Sequence, residues 1–124
     1  RLLESRLDNL SRQREGVMNR ILEVDSTLAS LNEIQKADGD SLFPVGSSAF
    51  VFGKVTDKKK IIIEIGSGIA LEKDFEEGKN ILEKNKSELG NVLKEIEKEI
   101  SNTSSMLEQL APEIESMSED SKKS

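Results

Sequence analysis

The apolar positions in the first third of the chain repeat every three and four residues. Leu, Ile and Val occupy positions 3, 7, 10, 17, 21, 24, 28 and 31, and Arg14 takes the single polar place in this pattern. Such spacing is typical of a coiled-coil seam rather than of the wider stripe of a helix that lies on a globular core. The stretch "KADGD" then supplies turn-forming residues that end the helix. We therefore predict a coiled-coil helix over residues 1–37.

The pattern changes from helical to alternating over residues 42–73. Phe50 and Phe52 are two apart, and Ile61, Ile63 and Ile65 continue the same alternation. This spacing predicts short strands at about 42–46, 49–56, 60–66 and 69–73, with turns at "GSS", "TDKK" and "GSG". The segment is thus interpreted as two β-hairpins, which need further partners because isolated hairpins are marginally stable in water.

Helical spacing returns after the strands and predicts a second coiled-coil helix over residues 74–120. Asp74 is placed to cap this helix, and Glu77 follows it at the capping-box spacing. The seam residues are Leu82, Leu89, Val92 or Leu93, Ile96, Ile100, Leu107, Leu110, Ile114 and Met117. The four-residue slip between Leu89 and Ile96 is a stutter, which unwinds a supercoil locally without ending it.

Opposite charges at the two ends of the chain indicate that the helices pair with each other. Residues 1–20 contain five Arg and three acids, whereas residues 99–121 contain six acids and no base. An antiparallel hairpin brings these ends together and is expected to place Arg14 near Glu97 or Glu99. We therefore predict an α+β fold: a long antiparallel coiled-coil helical hairpin with two β-hairpins inserted between the helices.

Composition excludes several classes of function. The chain of 124 residues has no His and no Cys, so the commonest general base, the commonest metal ligand and thiolate chemistry are all missing. A net charge of −6 disfavours non-specific nucleic-acid binding. No apolar run approaches the length of a membrane span, and no signal peptide is visible. We expect no enzyme activity, no cofactor, no metal, no membrane and no nucleic-acid partner.

The "GSG" turn in "IIIEIGSGIALEKDFEEG" must be tested as a phosphate site, because glycines between a strand and a helix often cradle phosphates. A dinucleotide fingerprint would need a third glycine at the position of Leu71. The segment "IALEK" also has strand alternation and separates the turn from the helix. The turn is therefore predicted to be the bend of a β-hairpin.

The order of these parts resembles an alpha-class prefoldin subunit. The resemblance rests on "LFPVG" in the first strand, on "IEIGSGIALEKDFEEG" leading into the second helix and on "QLAPEIE" near the end. Two β-hairpins, rather than one, separate the alpha class from the beta class. The similarity covers nearly the whole chain and implies a single prefoldin-like domain.

This resemblance implies a function as well as a fold. Prefoldins of this kind are ATP-independent hexameric chaperones of two alpha and four beta subunits, whose strands join in an oligomeric β-barrel. Their coiled coils hold unfolded client proteins and pass them to a group II chaperonin in the archaeal or eukaryotic cytoplasm. The implied partners are therefore beta-class subunits, unfolded proteins and a group II chaperonin.

Two sets of residues are the candidate sites. Subunit assembly is assigned to the apolar strand residues Val45, Phe50, Phe52, Val55, Ile61, Ile63, Ile65, Ile69 and Leu71. Client binding is assigned to seam residues near the free ends of the helices: Leu3, Leu7, Leu110, Ile114 and Met117. The heptad pattern is already running at Arg1, and we expect preceding residues of the whole protein to cover Ile114 and Met117 at least partly.

Two alternatives to a chaperone remain open at this stage. One is a structural coiled-coil module that oligomerises through its strands and binds no client. The other is a helical arm that holds nucleic acid, which the run of acids after Ile100 disfavours.

Overall fold

The computed structural model describes the backbone of residues 1–123 and the side chains of residues 1–110. Helix α1 spans Leu2–Lys36 and helix α2 spans Phe75–Lys123. Between them lie four strands, β1 (Ser41–Gly46), β2 (Ala49–Gly53), β3 (Lys60–Gly66) and β4 (Ile69–Asp74). The predicted α+β architecture, with two β-hairpins inserted between two long helices, is confirmed.

Both hairpins use the same tight turn. Strand β1 pairs antiparallel with β2, and β3 pairs antiparallel with β4, as two separate two-stranded sheets. Ser47 and Ser48 have φ values of 47° and 63°, and Ser67 and Gly68 have values of 53° and 74°. Positive φ at both central residues defines the type I′ turn, whose twist suits a two-residue hairpin loop. The "GSG" stretch is thus a hairpin bend, as predicted, and a strand rather than a helix follows it.

Strand β2 is shorter than the sequence predicts. It was expected to continue to Thr56, but it ends at Gly53, which pairs with Ser41 at the start of β1. Residues beyond Gly53 have no opposite strand residue to bond, so the ladder stops there. A Cβ atom at Gly53 would lie 2.9 Å from the ring of Phe43, so glycine lets this ring fold across the hairpin.

The chain divides into two compact units. We call residues 22–87 the hairpin unit, and residues 1–21 together with 88–124 the helical unit. Each unit contains a segment of α1, a segment of α2 and its own buried side chains.

The core of the hairpin unit forms where β3 packs on the start of α2. Ile63 and Phe75 are buried, at 8% and 5% exposure, and Leu28 of α1 is also buried in this unit. Gly78 makes the close approach possible, because a Cβ atom at this position would lie 2.7 Å from Ile61 Cγ2 and 3.1 Å from Ile63 Cδ1. The backbone amide of Phe75 donates to the carbonyl of Lys59 at 2.7 Å, which satisfies one free amide at the helix start.

Lysine side chains fix the ends of the helices in the hairpin unit. Lys79 Nζ donates to Gln35 Oε1 at 2.5 Å and lies 5.4 Å from the centre of the Phe75 ring. Lys58 donates to the carbonyl of Ala37, just after α1 ends. Further along α2, Lys86 meets Asp25, which lies earlier in α1 than Gln35, so the two helix segments run antiparallel here.

The helical unit is an antiparallel pair with a narrow buried seam. Leu10 and Ile96 are its buried apolar residues among those described, at 6% and 7% exposure. Thr103, seven residues after Ile96, is buried at 4% and places a hydroxyl in the seam. The seam thus follows the predicted heptads and includes a polar position that apolar periodicity alone does not reveal.

The expected position of Arg14 is wrong. Glu99 pairs with Arg6, at 3.7 Å between Oε2 and Nη2, whereas Arg14 is exposed. The offset between the helices therefore differs by about two turns from the expected one. Burial of Leu10 and Ile96 decides this offset, because an apolar seam residue contributes more free energy than an exposed ion pair.

One ion pair of the hairpin unit should give a small alkaline dependence of stability. Lys86 Nζ lies 2.6 Å from Asp25 Oδ1, and this hydrogen bond and its charge attraction raise the pKa of Lys86 above its usual 10.5. Because the pKa of Lys86 is higher in the folded chain than in the unfolded chain, the ion pair contributes its full share of the folding stability below pH 10.5. This share is lost as the pH rises through the pKa of Lys86 in the folded chain.

We therefore expect thermal melts to show that raising the pH above 10.5 lowers the stability of the variant Lys86→Met less than that of the wild type. Lys84→Met is the matched control, because Lys84 is exposed and forms no ion pair with the described residues. Equal alkaline losses in the wild type and in Lys86→Met would show that the pair has no such role.

Candidate interaction surfaces

One face of the first hairpin is entirely apolar and exposed. Leu42 pairs with Phe52, and Pro44 pairs with Phe50, so these four side chains share a face. Phe52 is 81% exposed, and Leu42 and Phe50 are each more than half exposed. We call Leu42, Pro44, Phe50 and Phe52 the hairpin-1 face. An exposed, contiguous apolar surface of this kind is typical of an interaction site.

The two faces of the second hairpin differ in composition and in burial. Ile61 and Ile63 lie on one face with Leu71 and Lys73, which are their partners in the register. The opposite face carries Lys60, Ile62, Glu64, Ala70, Glu72 and Asp74, and Lys60 lies 3.9 Å from Glu72 there. Ile62, at 72% exposure, is the large apolar side chain on this otherwise mostly charged face.

Ile63, one of the predicted assembly residues, already packs inside the single chain. It is buried against α2 of its own chain, and Ile61 beside it is half-buried. Gly78 provides the space for both side chains, a contact that strand alternation cannot predict. Apart from Ile62, the exposed apolar side chains of this hairpin lie towards its turn, where Ile65 and Ile69 are each 54% exposed and Leu71 is 39% exposed.

The remaining assembly candidates lie outside regular strand pairing. Val45 and Ile65 occupy equivalent bulges, one residue before the Gly that begins each turn, and Val45 is 63% exposed. Val55 lies in the loop after β2 and is half-buried. Leu42 and Pro44 were missed by sequence reasoning, although an exact pairing register for β1 and β2 would have placed both on the face of Phe50 and Phe52.

The helical unit carries two adjoining hollows. The larger, about 650 Å³, is lined by Leu2, Leu3, Ser5, Arg6, Asn9, Leu10, Gln13 and Glu99. The smaller, about 380 Å³, is lined by Leu3, Arg6, Glu99, Asn102, Thr103 and Met106. Leu3, Arg6 and Glu99 border both hollows, so the Arg6–Glu99 ion pair stands where the two meet.

The client-binding candidates are distributed unevenly around these hollows. Leu3 is half-buried and borders both, Leu7 is half-buried and lines neither, and Leu110 is 40% exposed. Ile114 and Met117 lie outside the residues whose side chains are described. Leu2 at 88% exposure and Met106 at 52% were not predicted, because Leu2 is off the heptad and Met106 precedes a seam position.

No metal centre or membrane span is found in the described part of the chain. Its acidic side chains do not gather in groups of three or more that could hold a cation. Neither helix has, within the same residues, an apolar stretch of the length that crossing a bilayer requires.

Comparison with known proteins agrees with this architecture. The family model for the prefoldin subunit matches residues 3–120. The prefoldin alpha subunit of Nitrosopumilus maritimus is 32% identical over 83 residues, which cover 66% of this chain and 57% of that protein. The alpha subunit of Methanobrevibacter smithii is 33% identical over 76 residues, covering 60% and 52% of the two chains. The chain thus spans about half the length of these relatives.

A solved structure has the same fold. The chain superposes on filamentous PFD from Methanocaldococcus jannaschii with a TM-score of 0.79, at 24% identity, covering 91% of this chain and 95% of that one. At this identity the likeness concerns the fold only. The family model matches nearly the whole chain, and the relatives above are alpha subunits. Together with the shared fold, these matches identify the chain as a member of the prefoldin family, of the alpha class.

Proposed function

We propose that this chain is a subunit of an ATP-independent chaperone that holds unfolded proteins at its helical unit. Prefoldins are a chaperone family whose subunits assemble with one another, and membership supports the general role. The specific proposal is a hexamer with beta-class subunits, two alpha with four beta, in the cytoplasm. Clients would then pass to a group II chaperonin without any catalytic step.

The observation that carries the assembly step is the hairpin-1 face. A lone two-stranded hairpin is marginal in water, and this one exposes apolar side chains on a whole face. Burying a phenylalanine side chain contributes about 1.5–3 kcal/mol, so covering Phe50 and Phe52 would favour association strongly. We assign to the subunit interface the exposed members of the predicted set, Val45, Phe50, Phe52, Ile65, Ile69 and Leu71, and add Leu42 and Pro44.

Client binding is assigned to the two hollows of the helical unit. Their walls include Leu2, Leu3 and Met106, which give apolar surface for an unfolded segment. Each contact is weak, but several subunits in one particle raise the effective concentration of sites. Release then needs only a competitor for the client, and no ATP. Leu110, Ile114 and Met117 stay candidates for the same role.

Removal of exposed apolar side chains from the hollows should weaken client holding. In light-scattering assays with a chemically denatured protein, the double variant Leu2→Ser with Met106→Ser should need roughly tenfold more chaperone for equal suppression of aggregation. The matched control is Met18→Ser with Leu22→Ser, two exposed apolar residues in α1 that line neither hollow and should have little effect.

These assays are run with the chain alone and with a beta-class subunit. If neither preparation suppresses aggregation, the chaperone proposal is wrong. If both double variants lose suppression equally, the hollows are not the binding site. A second candidate function is a structural oligomerisation module without client binding, which the exposed hairpin-1 face would serve equally well. Assembly without any suppression would support that alternative.

A further inference from the structure

The larger hollow of the helical unit is rich in hydrogen-bond donors. Among its polar side chains, Ser5, Arg6, Asn9 and Gln13 can all donate. Glu99 is the one lining group that can only accept. A purely apolar ligand would leave these donors to water, whereas a ligand with an acceptor would use them.

Arg6 is held loosely by its ion-pair partner. Its Nη2 atom is 3.7 Å from Glu99 Oε2, which is beyond hydrogen-bond distance, and its side chain is 60% exposed. A guanidinium has five N–H donors in a planar fork that fits a carboxylate with two parallel hydrogen bonds. Because Arg6 borders both hollows, a carboxylate at this point would have apolar wall on either side.

From this arrangement we propose that the helical unit prefers client segments in which apolar side chains flank an Asp or Glu. The apolar side chains enter the hollows beside Leu3, and the acidic group pairs with Arg6. This inference rests on the proposed client binding and adds a charge preference to it. The occupant is thus an unfolded, acidic–apolar segment rather than any apolar chain.

The test uses peptides of identical leucine-rich sequence with a single central Glu, Gln or Lys, and measures binding to the full chain by fluorescence anisotropy. The Glu peptide should bind about threefold more tightly than the Gln peptide, as expected for one exposed ion pair. This preference should disappear in high salt, which screens exposed charges. It should also disappear in Arg6→Gln, measured as the ratio of the affinities for the Glu and Gln peptides in that variant.

Three further variants separate Arg6 from the general charge of the helix. Arg6→Lys should retain part of the preference, because the charge remains but the planar fork is lost. Glu99→Gln should increase the preference, because it removes the competing carboxylate. Arg12→Gln is the matched control, since Arg12 is 76% exposed, pairs with Asp8 and lines neither hollow. It should bind all three peptides as the wild type does.

The outcomes distinguish this inference from the proposed function. If no peptide binds either the chain alone or its particle with a beta-class subunit, client holding by this chain is wrong and the inference with it. Equal binding of the Glu and Gln peptides, or tightest binding of the Lys peptide, overturns the charge preference alone. An equal loss in Arg12→Gln and Arg6→Gln also overturns it, because the preference would then belong to the net charge of α1. Apolar strand residues could bind peptide too, but they cannot produce a difference that depends on Arg6.

Discussion

Replacing Phe50 and Phe52 by serine should leave the chain folded and unable to assemble with other prefoldin subunits. Both side chains lie on the hairpin-1 face, and Phe52 is 81% exposed, so neither belongs to the buried core of the single chain. If each ring contributes about 2 kcal/mol at the interface, the double variant should weaken association roughly a thousandfold. Size-exclusion chromatography with light scattering measures the loss.

Two controls make this result specific. The variant Met18→Ser with Leu22→Ser removes apolar side chains that are exposed in α1 and absent from the strands, and it should assemble normally. Circular dichroism should give similar helix content and melting for all three proteins. Normal assembly of the Phe50 and Phe52 variant would contradict the assignment of this face to the interface.

Adding a single methyl group at Gly78 should destabilise the hairpin unit. A Cβ atom there would lie 2.7 Å from Ile61 Cγ2, an atom close to the strand backbone that cannot swing away as the end of a long side chain could. Overpacking typically costs about 1–3 kcal/mol, whereas Ala gains about 1 kcal/mol over Gly inside a helix. The variant Gly78→Ala should therefore be less stable by about 1 kcal/mol in urea unfolding.

Gly90 provides the matched control for this prediction. It lies in the same helix, but a Cβ atom there meets nothing within 4 Å. Gly90→Ala should thus gain about 0.5–1 kcal/mol from helix propensity alone. The loss at Gly78 should shrink in an Ile61→Ala background, where the clashing methyl is absent. Equal stabilisation by both glycine substitutions would show that β3 does not pack on α2 as described.

The periodic parts of the fold were predictable from the sequence. Heptad spacing predicted both helices, and alternating apolar residues between Gly-Ser turns predicted both hairpins. Each pattern involves only residues that are close together in the sequence. The prediction that the "GSG" stretch is a hairpin turn also rested on neighbouring residues, because Leu71 stands where a phosphate-binding loop needs a glycine. Element ends were less certain: β2 stops at Gly53 because β1 offers no further partner.

Features that depend on register or on tertiary contact were not predictable. Arg6, rather than Arg14, meets Glu99 because buried seam residues set the offset between the helices. Ile63 looks equivalent to Ile65 in the sequence, yet Ile63 faces the space that Gly78 leaves open, whereas Ile65 is exposed. Leu42 lies beside Phe52 on the hairpin-1 face because the two residues pair across β1 and β2, and the sequence of one strand does not show this register.

Hydrogen exchange of the strand amides tests the central claim, that the hairpins are shielded by neighbouring subunits, most directly. Exchange of β1, β2 and the turn end of β3 and β4 is followed by mass spectrometry in the chain alone at low concentration and in the particle formed with a beta-class subunit. We predict strong protection of these strands on assembly, with little change in residues 1–13, which carry the larger hollow. A particle that forms while the strand amides exchange at their original rate would contradict the account.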